Sequence, residues 1–560
     1  MQNNDLQKDN LQFLGLGKTK FNSSICLIDQ SSTELILTER LNRKKNSGLW
    51  PELPLKSVSS RLNIQTLKMA ENRDVHKPST IEDIQNTLFP FYDYLQKNEL
   101  GFFTKHFNPD LPYVPHHLCH AHAALALSPF EKSVIVVMDG AGTEVNKGEF
   151  EECTVYLQNG VKLTQVTQQL VRFATSTKNP ARTFANRIGG SYETVSEFIF
   201  NSPHSSGKVM GLASFGTAMD YSEHLEFQEN LGWDHSFKGK SKKEWENLDH
   251  TLFKNIAASV QQKLESDYDK IIQLIKMKYP DYENLILTGG CALNCTHNAK
   301  LLYQKLFNKI FVPPFPGDEC IGFGLAHYLK YQNDPGSWMP TPFENQSAYF
   351  GSMDSVPLDE AIEKEFSRDE FEIKKCNDII DETAELLKEK YIVAWFQGRS
   401  ESGPRALGNR SILARPDVTG LKDKLNKSIK FRESFRPYGC SIIQEKAHLY
   451  FDIDQNFNNP YMSFAIKVRE EHKELLKEVS HIDGTSRMQT VKIGQNEKFY
   501  KLLERFGEKS GVPCLLNTSL NVMDEPIVET IQDVRRFMEN TPTDYLVIND
   551  FLIKRKNLQK

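Results

Sequence analysis

From residue 12 to about 40, apolar and polar positions alternate in FLGLGKTKFNSSICLIDQ and again in ELILTERL, which predicts an opening β-hairpin. Further along, the pattern changes. Three times an apolar, β-branched run leads into a glycine-bearing turn and then a segment of helical character: SVIVVMDGAG at 133–142, NLILTGGCALN at 284–294 and KIFVPPFPGDECIGFGLA at 309–326. Strand, glycine turn and helix in that order predict an α/β fold in which backbone amides and ligand side chains meet at one sheet edge. After about residue 333, the stretch NDPGSWMPTPFENQSAYFGSMDSVP is rich in turn formers and lacks periodicity, so a domain boundary is expected there. The helix-like DETAELLKEK and the strand YIVAWF then open a second region. The expected organisation is a first domain at 1–345, a linker at 346–372 and a second domain at 373–560, with no internal repeat.

Composition narrows the classes. A chain of 560 residues has room for two to four domains, and 39% hydrophobic with 25% charged residues describes a globular protein. The formal net charge of -5 makes nucleic acid an unexpected partner. The start MQNNDLQKDN lacks the basic and apolar parts of a signal peptide, and no run approaches the roughly 20 apolar residues of a membrane helix. A cytoplasmic location without membrane association is expected. Nine cysteines without a CxxC pair read as free thiols in a reducing compartment.

Candidate chemistry starts at VPHHLCHAHAA. If this segment is helical, His116 and His120 at i and i+4 share one face and can hold an ion with carboxylates from elsewhere. Asp139 closes the strand VIVVM ahead of Gly140, Ala141 and Gly142, and Asp318 stands equivalently in PGDEC. Two imidazoles with two carboxylates form a mixed nitrogen and oxygen shell, which suits iron, zinc or manganese better than magnesium; iron is the first choice. The amides of Gly140 and Gly142 can face phosphate. Gly289 and Gly290, with Asn294 closing GGCALN, resemble a nucleotide loop, and Lys208 in GKVMGLASFG has a similar setting. Arg399, Arg405, Arg410, Arg415, Lys430, Arg432 and Arg436 crowd residues 399–436 of an acidic chain and point to an anion site.

The ordered set HHLCHAHAALALSPF, GKVMGLASFG, GGCALN, PPFPGDECIGFGLA, GRSESGPRALGNRSILARP, NKSIKFRESFRPYG, DGTSRMQTV and LLNTSLNVMDEPIV resembles the NodU/CmcH/TobZ-type O-carbamoyltransferases of nodulation-factor and antibiotic biosynthesis. The resemblance implies an α/β protein with an actin-like ATPase (Kae1-like) N-terminal domain followed by a YrdC-like α/β C-terminal domain. It implies that the second domain makes carbamoyl-AMP from carbamoyl phosphate and ATP, with Mg accompanying the nucleotide. The carbamoyl group then passes, in the first domain, to a hydroxyl of a small molecule or glycan. His116, His120, Asp139 and Asp318 match the family's metal ligands. Arg405, Arg410, Lys430, Arg432 and Arg487 are the residues expected to hold carbamoyl phosphate and the nucleotide phosphates, with Asn517, Thr518 and Ser519 on the adenylate. Lys430, Arg432 and Arg487 are assigned the catalytic roles there. The resemblance leaves oligomeric state open, a homodimer included.

The chain departs from the family pattern in three places. Where the family carries a His-Asp-x-Ser-like stretch, this chain has Phe21, Asn22, Ser23 and Ser24, so another base, His117 or His122, is expected to serve the acceptor. Thr143 replaces an acidic residue, and Gly439 with Cys440 replaces Ala-Pro. Competing readings are a threonylcarbamoyl-type tRNA modification enzyme, which the acidic charge disfavours, a degenerate nucleotide-binding regulator, and a sugar-kinase-like phosphotransferase, which leaves the C-terminal half unexplained.

Overall fold

The computed structural model describes residues 11–19, 22–48, 51–63, 66–72, 113–172, 188–219, 251–352 and 358–556. The chain forms two compact units, the first from 1–191, 270–293 and 307–341, the second from 192–269, 294–306 and 342–560. The break after residue 341 lies within the turn-rich stretch. The second unit also takes 192–269 and 294–306, which the sequence had assigned to the first domain. Both units are mixed α/β.

In the first unit, β1 (Gln12–Lys18), β2 (Ser23–Ile28) and β3 (Thr33–Leu37) pair antiparallel, as the alternation predicts, and β4 (Leu67–Asn72) and β5 (Tyr113–Val114) extend the sheet in the order β3-β2-β1-β4-β5. The second sheet contains β6 (Lys132–Met138), β7 (Glu144–Asn146), β8 (Glu149–Asn159), β9 (Lys162–Arg172), β10 (Asn284–Thr288) and β11 (Lys309–Phe311). Its parallel strands β6, β10 and β11 are adjacent, so the segments that leave their carboxyl ends converge at one edge. β6 reads as a continuous apolar run because it is buried from Ser133 to Met138. One expectation needs correction: the turn at 139–142 leads into the strands β7 and β8 rather than a helix, because β8 returns antiparallel along β6.

Helix α1 (His116–Ala126) packs on α6 (Ile321–Asn333) in this unit. Gly324 permits the approach, since a Cβ there would lie 2.0 Å from the Cys119 carbonyl oxygen. In the second unit, β12 (Phe371–Lys375), β13 (Val393–Phe396), β14 (Arg410–Ala414), β15 (Gly439–Ile443), β18 (Met488–Val491), β19 (Cys514–Ser519), β20 (Tyr545–Ile548) and β21 (Phe551–Arg555) form one sheet; β16 (Ile466–Lys467) and β17 (Thr485–Ser486) pair separately. Trp395, Phe499 and Phe506 are among its fully buried side chains. Helices α3 (Ser206–Ala213) and α5 (Cys295–Gln304) belong to the same unit, as do most of α2 (Ile188–Phe200) and α4 (Thr251–Lys278). Among the described residues, no helix is long and apolar enough to cross a membrane, and all nine cysteines are free and buried.

Candidate functional site

The first site is built at the start of α1. Helix N-termini leave amides without intrahelical partners. Here the His116 amide donates to Thr143 Oγ1 (2.8 Å) and the His117 amide to the buried Glu151 carboxylate (3.1 Å), which also accepts from the Thr143 amide (3.0 Å). Thr143 therefore satisfies the first amide of the helix. With α1 so anchored, His116 and His120 stand one turn apart and their Nε2 atoms approach to 3.0 Å. Asp139 Oδ2 lies 3.4 and 3.1 Å from the two Nε2 atoms, and Asp318 Oδ1 lies 3.4 and 3.7 Å from them. All four donor atoms fall within 4.8 Å of one another. Donors bound to one ion at about 2.1 Å stand roughly 3.0–3.4 Å apart when adjacent and about 4.2 Å when opposed, so the cluster is close to the size of a divalent-metal shell and its donor set suits one.

Electrostatics agree with a cation site. Burial alone would raise the Asp318 carboxyl, yet His116 and His120 bring it down to about 2; Asp139 is likewise held well below the usual carboxylate range. His120 is raised well above the ordinary imidazole range, the neighbouring Cys320, Asp139 and Asp318 outweighing burial. The glycines serve this geometry. Gly289 adopts φ 88°, and a Cβ there would lie 2.3 Å from the Met138 carbonyl oxygen, while a Cβ on Gly290 would lie 2.9 Å from Asp139 Oδ1. The Gly140 amide donates to Asp139 Oδ1 (2.6 Å), and a Cβ on Gly142 would meet Glu151. These four glycines make room for, or hold, the groups around the four clustered side chains.

The second site lies in the second unit. Phe431, in the left-handed region (φ 49°), turns the chain between Lys430 and Arg432. The Arg432 guanidinium rests over the Tyr438 ring (4.4 Å to centroid) and donates from Nε to Asn426 Oδ1 (2.8 Å). Burial, with Arg436 and Arg487 nearby, lowers its pKa to about 10. Burial and the Arg436 charge also lower Arg487, whose Nε is buried without a hydrogen-bond partner. Glu433 accepts from Lys208 Nζ (2.8 Å) and sits 3.6 Å from Arg436 Nη1. Four cations thus surround a neighbourhood that holds Glu433, an arrangement suited to an anionic ligand. Gly439 belongs to this site too, since a Cβ there would lie 2.4 Å from the Arg487 carbonyl oxygen. That contact leaves no room for a side chain at position 439.

Other predicted residues lie elsewhere. Arg410 is buried over Phe396 (3.5 Å to the ring centroid) and donates to the carbonyls of Gln397 (2.6 Å), Gly398 (3.0 Å), Asn409 and Glu529, so its donors already serve the backbone. Lys430 Nζ donates to Ser519 O (2.7 Å), Ser519 Oγ (3.1 Å), Asn521 O (2.9 Å) and Asn521 Oδ1 (2.5 Å), clamping the turn after β19. Ser519 takes part in that clamp, Thr518 is half-buried beside it, and Arg405 is half-buried in the GPRALG turn. Asn517 is buried and donates to Ser441 Oγ (2.9 Å) inside the sheet. Asn294 accepts from the His297 amide and caps α5, and Lys208 sits at the anion cluster with Glu433, not at a nucleotide loop.

His117 is fully enclosed; its Nδ1 shares a hydrogen bond with Thr154 Oγ1 (2.8 Å), and burial lowers it to about 4. Burial lowers His122 to about 4 as well. Both suit support of α1 better than removal of a proton from an incoming acceptor. Phe21 lies outside the described residues, whereas Ser24 Oγ accepts from the Gly322 amide (3.2 Å) at the start of α6. Sequence reasoning missed Glu433, Glu151 and Cys320, and counted Arg436 in the basic run without assigning it to a site. For Arg436 the spacing RESFRP held a signal; for Glu151, on a strand distant in sequence from α1, it held none.

The carbamoyltransferase N-terminus family matches residues 68–327 and the carbamoyltransferase C-terminus family residues 384–555. Nodulation protein NolO of Bradyrhizobium diazoefficiens is 32% identical over 462 residues, 79% of this chain and 79% of that protein. Nodulation protein NolNO of Sinorhizobium fredii is 32% identical over 468 residues, which are 80% of this chain and 64% of that protein. The 3'-hydroxymethylcephem-O-carbamoyltransferase of Amycolatopsis lactamdurans is 30% identical over 379 residues, 62% of this chain and 65% of that enzyme. A solved structure of full-length HypF aligns at TM-score 0.34 and 13% identity over 59% of this chain and 48% of that one, too slight a likeness to inform the fold.

Proposed function

Because the chain belongs to the carbamoyltransferase family, we propose that it makes carbamoyl-AMP from carbamoyl phosphate and ATP and transfers the carbamoyl group to a hydroxyl of a small molecule or glycan. On this reading the first unit carries the actin-like, Kae1-like domain and the second the YrdC-like one. The observation that carries the proposal is the arginine cluster of the second unit, where Arg432, Arg436 and Arg487 lie within electrostatic reach of one another and Arg487 Nε lacks a partner. Arginine does not shed its proton at any working pH, so such a cluster is stabilised by an anion with several oxygens.

Arg432, Arg436 and Arg487 would neutralise the phosphate groups, which lowers the cost of bringing two anionic substrates together. Lys430 would act at one remove, by holding the 519–521 turn that borders the nucleotide. Water cleaves the phosphate from carbamoyl phosphate to leave carbamate and inorganic phosphate, and the carbamate oxygen then bonds to the α-phosphorus of ATP as the bond to the β-phosphate breaks and pyrophosphate leaves. His116, His120, Asp139 and Asp318 would hold a divalent metal, Fe(II) first and Zn or Mn next; such an ion supplies Lewis acidity toward the adenylate phosphate. The two carboxylates and two imidazoles keep that place anion-rich and orient it through α1.

The test is carbamoyl-phosphate-dependent release of pyrophosphate from ATP by the purified protein without an acceptor, with nucleotide products separated by chromatography. Pyrophosphate with carbamoyl-AMP or AMP supports the reading. Its absence in folded, metal-loaded protein, both alone and with candidate hydroxyl acceptors added, overturns it.

A further inference from the structure

We propose that Cys320 is a positioning residue for the metal centre: its sulfur accepts the Nδ1 proton of His120 and so fixes the tautomer and rotation that present Nε2 to the ion. This rests on the reading that the four clustered residues hold a divalent metal. His120 Nε2 faces His116, Asp139 and Asp318, so Nδ1 is the nitrogen turned away from the cluster. An imidazole that binds a metal through Nε2 must keep its proton on Nδ1, and that proton needs an acceptor. Cys320 Sγ stands 3.1 Å from His120 Nδ1, and both side chains are fully buried.

The backbone around Cys320 holds the sulfur in place. The residue closes the short 3-10 turn Asp318–Cys320, in which the Cys320 amide donates to the Gly317 carbonyl (3.0 Å). Two residues on, the Gly322 amide donates to Ser24 Oγ, and the Gly324 contact with Cys119 fixes α6 against α1. A single turn therefore supplies one ligand, Asp318, and the support of another, His120. The usual acceptor behind a ligating histidine is a carboxylate or carbonyl oxygen. A thiol sulfur accepts more weakly, which leaves His120 a less basic ligand than a carboxylate partner would.

The experiment uses the full chain, stripped of metal and titrated with Co(II), with the visible ligand-field bands and chelator competition as readouts and the melting of the metal-free proteins as the folding control. C320A removes the acceptor, and the near-isosteric C320V does so without leaving a cavity; both should bind Co(II) about ten- to a hundredfold more weakly, with altered bands. C320S keeps an acceptor and should stay within about threefold of the unaltered chain. Unchanged affinity and bands in folded C320A or C320V overturn the proposal, as does a loss in C320S equal to that in C320A. Failure of the unaltered chain to bind Co(II) overturns the metal reading itself, which distinguishes the two.

Discussion

The two candidate sites crowd charge in opposite ways. In the first unit, two carboxylates face two imidazoles, and the group can compensate itself in part because histidine takes up a proton, as the raised His120 shows. In the second unit, Arg432, Arg436 and Arg487 face one another, and guanidinium has no such recourse. Glu433, shared with Lys208, offsets part of that cluster. The difference teaches where each site looks for its ligand: the first exchanges protons for a cation, whereas the second must import negative charge. Arg410 differs in degree: it donates to four backbone carbonyls, whereas Arg432 donates to Asn426 Oδ1 and to one carbonyl, that of Pro437.

The comparison is sharpest in a pair of substitutions. R487A is expected to lower carbamoyl-phosphate-dependent pyrophosphate release by roughly 10²–10³-fold, the scale of losing one charge-stabilising donor, while H120A leaves that release intact and stops carbamoyl transfer. Loss of pyrophosphate release in H120A would break the division between the sites. R410A tests the other arginine class: its carbonyl partners lose their donor, so stability should fall by about 3 kcal/mol, read from the urea midpoint. Unchanged stability would return Arg410 to the anion-binding group. E433Q removes a counter-charge and should tighten inorganic phosphate binding about fivefold at low salt, an effect that fades as ionic strength rises. Isothermal titration at two salt concentrations checks it.

A last effect concerns pH. His327 shares a hydrogen bond with Tyr331 (3.1 Å), and burial, with Lys330 and His122, lowers it to about 3. Its folded pKa lies below the unfolded value of about 6.5, so the unfolded chain binds the proton first. Stability is complete above about pH 6.5 and declines as pH falls toward 3. H327L should make that decline shallower by up to about 1.4 kcal/mol per pH unit, seen in melting temperature against pH. An unchanged slope would remove His327 from the account.

Legibility differed between the sites for a physical reason. The clustering of His116, His120, Asp139 and Asp318 was readable because its signals are local: i and i+4 on one helix share a face, and carboxylates follow strand ends. The glycines beside them were seen in sequence as turns, but their packing against Asp139, Met138 and Glu151 was not, since a tight turn needed beside a carboxylate and one needed beside a phosphate look alike in sequence. Among the arginines the sequence offered a density, not an assignment. Arg410 and Arg432 stand in equally glycine- and proline-rich surroundings, yet one meets four backbone carbonyls and the other meets Tyr438 and its fellow cations.

What the sequence by itself determined is the α/β alternation, the opening hairpin, the family and the grouping of His116, His120, Asp139 and Asp318, because each is written in spacing between near neighbours or in motif order. What only the tertiary structure decided is which donors remain for a ligand. That Lys430 is used up on the 519–521 turn, that His117 is sealed inside, and that Cys320 backs His120 depend on contacts between segments tens to hundreds of residues apart. A hydrogen bond is spent or spare only once the chain has closed on itself, and the pattern along the chain does not carry that information.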